Sequence, residues 1–126
     1  MIKPILVKPL EYKQGVLTQE AIDHIKGVRD EVRLGEAGTT DVKKSGGRCG
    51  IVSEELANHG YGYEFYGAYR TPKGLIEHAW IDHPEGHILD ATRDQFGEHP
   101  GISIVLSNSQ ESQKYLRDFN EDDLVG

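Results

Sequence analysis

The chain has 126 residues, 37% of them hydrophobic and 28% charged, with a formal net charge of −7; this excludes a disordered chain and suits one soluble domain, residues 1–126, with a single core. The acidic balance argues against binding a phosphate backbone, which needs a basic face, and fits neutral or basic small molecules or polypeptides. No apolar run approaches the ~20 residues of a membrane span, the start is too short in apolar residues for a signal peptide, and one cysteine makes no internal disulfide. The expected location is cytoplasmic.

Ile5, Leu6 and Val7, bounded by Pro4 and Pro9, read as a short strand or extended arm. Thr18 caps a helix whose apolar positions Ala21, Ile22, Ile25, Val28 and Val32 recur at helical spacing, with Gly35 as its stop. Residues 35–47 form a polar, Gly-rich loop that lacks the spacing of a phosphate-binding loop. A second helix is expected over 50–59, with Glu54 and Glu55 towards its positive end and Gly60 as its left-handed cap. Strands are expected at 61–69, 75–82, 87–91 and 102–106. A short closing helix is expected over 110–119, then an acidic, solvated tail through Glu121, Asp122 and Asp123. Helices followed by a run of strands make an α+β pattern.

Cys49 follows Gly46, Gly47 and Arg48 and directly precedes the second helix. The helix dipole and the Arg48 charge would both favour its thiolate, and the glycines let a substrate backbone approach. A lone cysteine is more often a small buried hydrophobe; the Gly-rich helix start sets this one apart.

His78 lies in a strand where Ile76, His78, Trp80 and Asp82 share a face. Pro84, Glu85 and Gly86 suit a three-residue hairpin loop closed by a left-handed glycine. His83 then pairs with His87, Trp80 faces Asp90, and His78 lies diagonal to Asp90 at ~7–8 Å between Cβ atoms, which the two side chains can bridge. Asp82 lies four residues along, roughly 13 Å away, too far to orient the imidazole. Asp90 is therefore the expected partner, holding the tautomer while His78 takes the Cys49 proton. The helix start at Cys49 is expected to pack over that same face.

His78, Asp82, His83, His87 and Asp90 cluster in sequence, but Pro84 and Gly86 place the last two histidines at a turn, and no metal-binding motif is present. No metal or cofactor is expected. His24, His59 and His99 read as surface residues. Tyr61, Tyr63, Phe65, Tyr66 and Tyr69 either line a groove or pack a sheet.

Gly47-Arg48-Cys49-Gly50, the helix after it, Gly60-Tyr61, Gly67-Ala68-Tyr69-Arg70, His78-Ala79-Trp80 and Leu89-Asp90-Ala91-Thr92 together resemble the core of the transglutaminase-like family over residues 45–97. The resemblance implies a papain-like core, a cysteine-bearing helix packed on an antiparallel sheet. It also implies Cys49 as nucleophile, His78 as base and Asp90 as orienting acid. Ala91 stands where that family often has proline. The tryptophan that supports the oxyanion in animal transglutaminases has no counterpart before Cys49. The oxyanion donors expected are the Cys49 backbone N–H and one of Gln14, Gln19 or Gln95.

The expected activity is attack on an amide carbonyl through a Cys49 thioester, as a peptidase, amidase or glutamine deamidase acting on a polypeptide or small amide. The alternatives are a transglutaminase joining a glutamine side chain to an amine, a catalytically silent binding module, and a metal-binding regulator using the histidine hairpin.

Overall fold

Helix α1 spans Gln19–Ala37, and the Thr18 hydroxyl accepts from the Ala21 N–H at its start, satisfying one of the free donors of the first turn. The helix runs past Gly35 and ends at Gly38, whose left-handed conformation (φ 73°) sends its N–H back to the Leu34 carbonyl. The buried stripe of Ala21, Ile25, Val28, Arg29 and Arg33 ends before Gly35, yet only Gly38 takes the left-handed turn. In this computed structural model the described residues are 17–83, 86–97 and 101–125. The expected arm at Ile5–Val7, Pro84 and Glu85 of the turn, His99 and Gln14 lie outside them.

A single turn, α2 (Val42–Ser45), interrupts the polar loop, and α3 (Cys49–Asn58) begins at the cysteine itself. After α3, the N–H groups of Gly60 and Tyr61 bond back to the carbonyls of Ala57 and Leu56, the paired bonds that close a helix by a glycine.

Five strands follow: β1 (Tyr63–Thr71), β2 (Gly74–Asp82), β3 (Ile88–Asp90), β4 (Ser103–Val105) and β5 (Tyr115–Leu116). They form one sheet in the order β4-β3-β2-β1-β5 with every pairing antiparallel. The fold is therefore α+β. β5 lies inside the segment expected to be a closing helix. There a 3-10 turn at Glu111–Lys114 gives way to a strand pairing Tyr115 with Tyr69, because burying Tyr115 against the sheet outweighs a weak local helix preference. The acidic residues at Glu121–Asp123 are exposed in a 3-10 turn, yet the chain there is fastened by a bridge between Leu75 and Leu124.

The sheet has two covered faces. Ile81, Leu89 and Ala91 meet Ile25 and Val28 of α1 and Val52 and Leu56 of α3. Each large aliphatic side chain buried here contributes about 1.5–3 kcal/mol. The opposite face carries an aromatic cluster of Tyr69, Trp80 and Tyr115 with Ile88 and Val105, flanked by Phe65 and Phe96. No helix among the described residues is long and apolar enough to cross a membrane.

Gly67 on β1 sits opposite His78. A Cβ there would fall 2.4 Å from both the Leu116 carbonyl oxygen and the Trp80 ring, and a backbone atom of β5 cannot rotate away. Gly67→Ala is expected to lower the free energy of unfolding by about 1–3 kcal/mol. Urea denaturation checks this; an unchanged midpoint would mean that β5 yields without cost.

Candidate active site

The hairpin between β2 and β3 has the register expected from its loop. Ile81 pairs with Leu89 and Asp82 with Ile88, and the His83 N–H bonds to the His87 carbonyl. Gly86 is left-handed (φ 94°) and its N–H returns to the His83 carbonyl. His78 and Asp90 consequently emerge diagonally from one face, and His78 Nε2 lies 2.7 Å from Asp90 Oδ2 with both side chains fully buried. Tyr115 Oη donates to the same Oδ2 at 2.6 Å, while the Thr92 N–H and hydroxyl reach Oδ1 at 3.0 and 3.4 Å. A carboxylate removed from water is tolerated only when its lone pairs are matched in this way.

Asp82 turns elsewhere. It accepts from Trp80 Nε1 at 3.1 Å and from the Arg117 guanidinium, so it takes no part in orienting His78.

Cys49 reaches His78 by a route that differs from the expected one. The helix it opens packs on the far face, against Ile81 and Leu89, not over the face bearing His78. β3 is short and pairs with β2 only at Ile81 and Asp82, so the edge of β2 beside residues 78–80 carries no neighbouring strand. In an antiparallel ladder alternate residues turn their N–H and C=O to opposite sides. The Leu75 carbonyl, accepting from the Val125 N–H, shows that odd residues of β2 face this edge. Here the Ala79 N–H points at the Cys49 side chain, which also hydrogen-bonds His78. The start of α3 thus comes beside the unpaired edge of β2, where the Cys49 thiol and the His78 imidazole interact.

Partial burial pushes the Cys49 thiol pKa up, but the His78 hydrogen bond and charge and the Ala79 N–H more than offset this, leaving it below the ordinary value. Burial disfavours a charged His78, yet the Asp90 charge and hydrogen bond, with Cys49 adding to them, raise its pKa to about 9. Arg48 does not contribute as expected. Its backbone is left-handed (φ 57°), its side chain is exposed, and its Nε donates to the Ser45 carbonyl at 2.7 Å. The guanidinium serves to fold the loop.

Gln95, from the 3-10 turn Arg93–Phe96, places its Nε2 2.8 Å from His78 Nδ1. Gln19 is exposed at the start of α1 and bonds Asp23. Arg33, only 1% exposed, clasps Asp94 with two bonds of 2.7 and 2.8 Å and touches the Gly47 carbonyl at 3.3 Å. That link ties the turn carrying Gln95 to the loop leading into Cys49.

Of the remaining side chains singled out in the sequence, Tyr61 and Tyr69 are buried and pack the sheet faces, whereas Tyr63 and Tyr66 are exposed. His24 is exposed and bonds the Tyr61 hydroxyl. The His83 and His87 rings stack at 6.5 Å beside the turn. Among the described residues, no three His, Cys, Asp or Glu side chains are grouped so as to hold a metal.

Three contributors escaped the sequence reading: Tyr115, the Arg33–Asp94 clasp, and the Gln95–His78 contact. Tyr115 lies in a two-residue strand too short to show alternation. The clasp joins residues 61 apart in the chain, for which a single sequence carries no signal.

Compared with protein-family models, curated proteins and solved structures, the chain matches none.

The two pKa shifts have opposite consequences for stability. His78, raised from 6.5, stabilises the fold fully below pH 6.5 and loses that contribution as pH rises through about 9. Cys49, lowered from 9.0, contributes above that value and loses it as pH falls through its folded-state pKa. Between these limits the folded protein keeps a proton on His78 that it has given up from Cys49, so the slopes oppose each other. Cys49→Ser is expected to leave the part of the His78 contribution that Asp90 supplies, as a stability that falls as pH rises above 6.5 more steeply than in the wild type. Urea denaturation at several pH values measures this, and parallel profiles would refute the coupling.

Proposed function

We propose that the protein is a thiol-dependent acyl-transfer enzyme of the transglutaminase-like, papain-like kind, cleaving or modifying an amide through a thioester on Cys49. The observation that carries this reading is one imidazole bound on both sides. His78 gives Nε2 to the buried Asp90 carboxylate and shares a hydrogen bond with a cysteine whose pKa is lowered. An imidazole so held passes a proton between a nucleophile and a leaving group without losing its orientation.

In this mechanism the Cys49 thiolate attacks the carbonyl carbon while His78 carries the proton. Collapse of the tetrahedral adduct breaks the C–N bond. The His78 proton passes to the departing amine, and the acyl group stays as a thioester. Water then attacks the thioester, His78 takes one of its protons, and the acid leaves as the proton returns to sulfur. The Cys49 backbone N–H lies at the unpaired start of α3, where amide donors face outward, and serves the developing oxyanion. A polypeptide or small amide is the proposed substrate and hydrolysis the proposed outcome.

An activated ester tests the chemistry without knowledge of the natural substrate. Incubation with p-nitrophenyl acetate is expected to give a stoichiometric burst of nitrophenolate and one acetyl group on Cys49 by mass spectrometry; Cys49→Ala abolishes both. Asp90→Asn is expected to slow the burst by about 100-fold or more, through the wrong imidazole tautomer. Asp82→Asn is expected to leave the burst nearly unchanged. The reverse ranking of the two carboxylates, or acetylation independent of Cys49, would defeat the proposal.

A further inference from the structure

His78 has two ring nitrogens and three partners. Asp90 takes Nε2 at 2.7 Å, which leaves Nδ1 to serve both Cys49 and Gln95, whose Nε2 is 2.8 Å away. A carboxamide satisfies this nitrogen in either protonation state. Its N–H donates to the lone pair of a neutral ring, and its carbonyl accepts from the N–H of an imidazolium. In both cases it competes with Cys49 for the same nitrogen.

The surroundings single out this carboxamide. Gly47, two residues before the cysteine, lies so close that a Cβ there would fall 1.6 Å from Gln95 Oε1. The side chain therefore fills the space between the nucleophile's loop and the base. It is half-buried and lines two clefts, one with Tyr69, Thr71 and Phe96, the other with Val42, Gly46 and Gly47. Its backbone is fixed, because Asp94 is clasped by Arg33 and Arg93 reaches Glu111 at 2.8 Å. Only side-chain torsions remain for the carboxamide to move.

We propose that Gln95 is the second oxyanion donor and also the group that holds the nucleophile in check. In the free protein it shares His78 Nδ1 with Cys49; when a substrate carbonyl enters, its N–H moves to the carbonyl oxygen and Nδ1 is left to Cys49 alone. This rests on the acyl-transfer reading above and adds that full activation of Cys49 is coupled to substrate arrival.

The two roles predict effects of opposite sign, which a purely structural residue does not produce. Gln95→Ala and Gln95→Met, the second keeping most of the packing against Gly47, are compared with wild type in two assays. Iodoacetamide alkylation of Cys49 across pH reports the thiolate, and the p-nitrophenyl acetate burst reports acyl transfer. Loss of the competitor is expected to lower the alkylation midpoint by about one unit, raising the rate below it about tenfold. The burst is expected to fall ten- to 100-fold net, since losing an oxyanion donor costs about 10²–10³ and the tenfold gain in thiolate offsets part of it. A slower burst with unchanged alkylation overturns the restraint on the nucleophile. Gains in both assays overturn the donor role. Losses in both, in the Met as well as the Ala variant, reduce Gln95 to a packing residue and overturn both. No Cys49-dependent burst in the wild type defeats the acyl-transfer reading and this inference with it, whereas a normal wild-type burst with any of the three failures above defeats this inference alone.

Discussion

A carboxylate with no access to water organises one side of this molecule. Asp90 is fully buried, and taking an ionised carboxylate out of water is costly unless every lone pair meets a donor. The donors come from three places: the imidazole of β2, the hydroxyl of Tyr115 on β5, and the backbone and hydroxyl of Thr92 just after β3. No two strands alone could satisfy it. The demand for donors fixes how β2, β3 and the distant β5 sit relative to one another, and the aromatic cluster of Tyr69, Trp80, Tyr115 and Phe96 packs within that frame. Removing any one donor leaves a buried charge short of a partner, a penalty of order 1–3 kcal/mol or more.

The second organising contact lies on the other side of the imidazole. Arg33 of α1 is almost wholly buried and binds both oxygens of Asp94 while also touching the Gly47 carbonyl. Two parallel N–H···O bonds fix the guanidinium plane as well as its position. The segment before Cys49 and the segment after Asp90 are thereby referred to one rigid helix. A pair this deep gains little net stability over an apolar substitute, because desolvation offsets its attraction. Its value is geometric: it sets the spacing between the loop entering α3 and the turn bearing Gln95.

What could be read from the sequence was local. The odd-numbered loop between His83 and His87 fixed the parity of the hairpin, and parity alone put His78 and Asp90 on one face, because a slip of one residue would reverse every side chain. Thr18 and the aliphatic stripe after it marked α1, though the stop fell at Gly38, because a glycine ends a helix only where it takes the left-handed conformation, and Gly35 does not. Long-range contacts were not legible. Placing α3 over the His78 face was a reasonable inference from the need for contact. The chain meets that need differently, by cutting β3 short and bringing Cys49 beside the unpaired edge of β2. Nothing in Ile88-Leu89-Asp90 announces that its pairing with β2 ends at Ile81. Arg48 misled for a related reason: charge next to a thiol in sequence is not charge next to it in space, and a left-handed backbone turned that side chain towards Ser45.

The position of Tyr115 has a consequence for biosynthesis. Cys49, His78 and Asp90 all emerge from the ribosome before β5, so a nascent chain holds the three side chains while the hydroxyl that completes the Asp90 cage is still missing. Until β5 docks beside Tyr69, the carboxylate lacks the Tyr115 donor. The cage around Asp90 is therefore closed late, by the last strand of the sheet to be made.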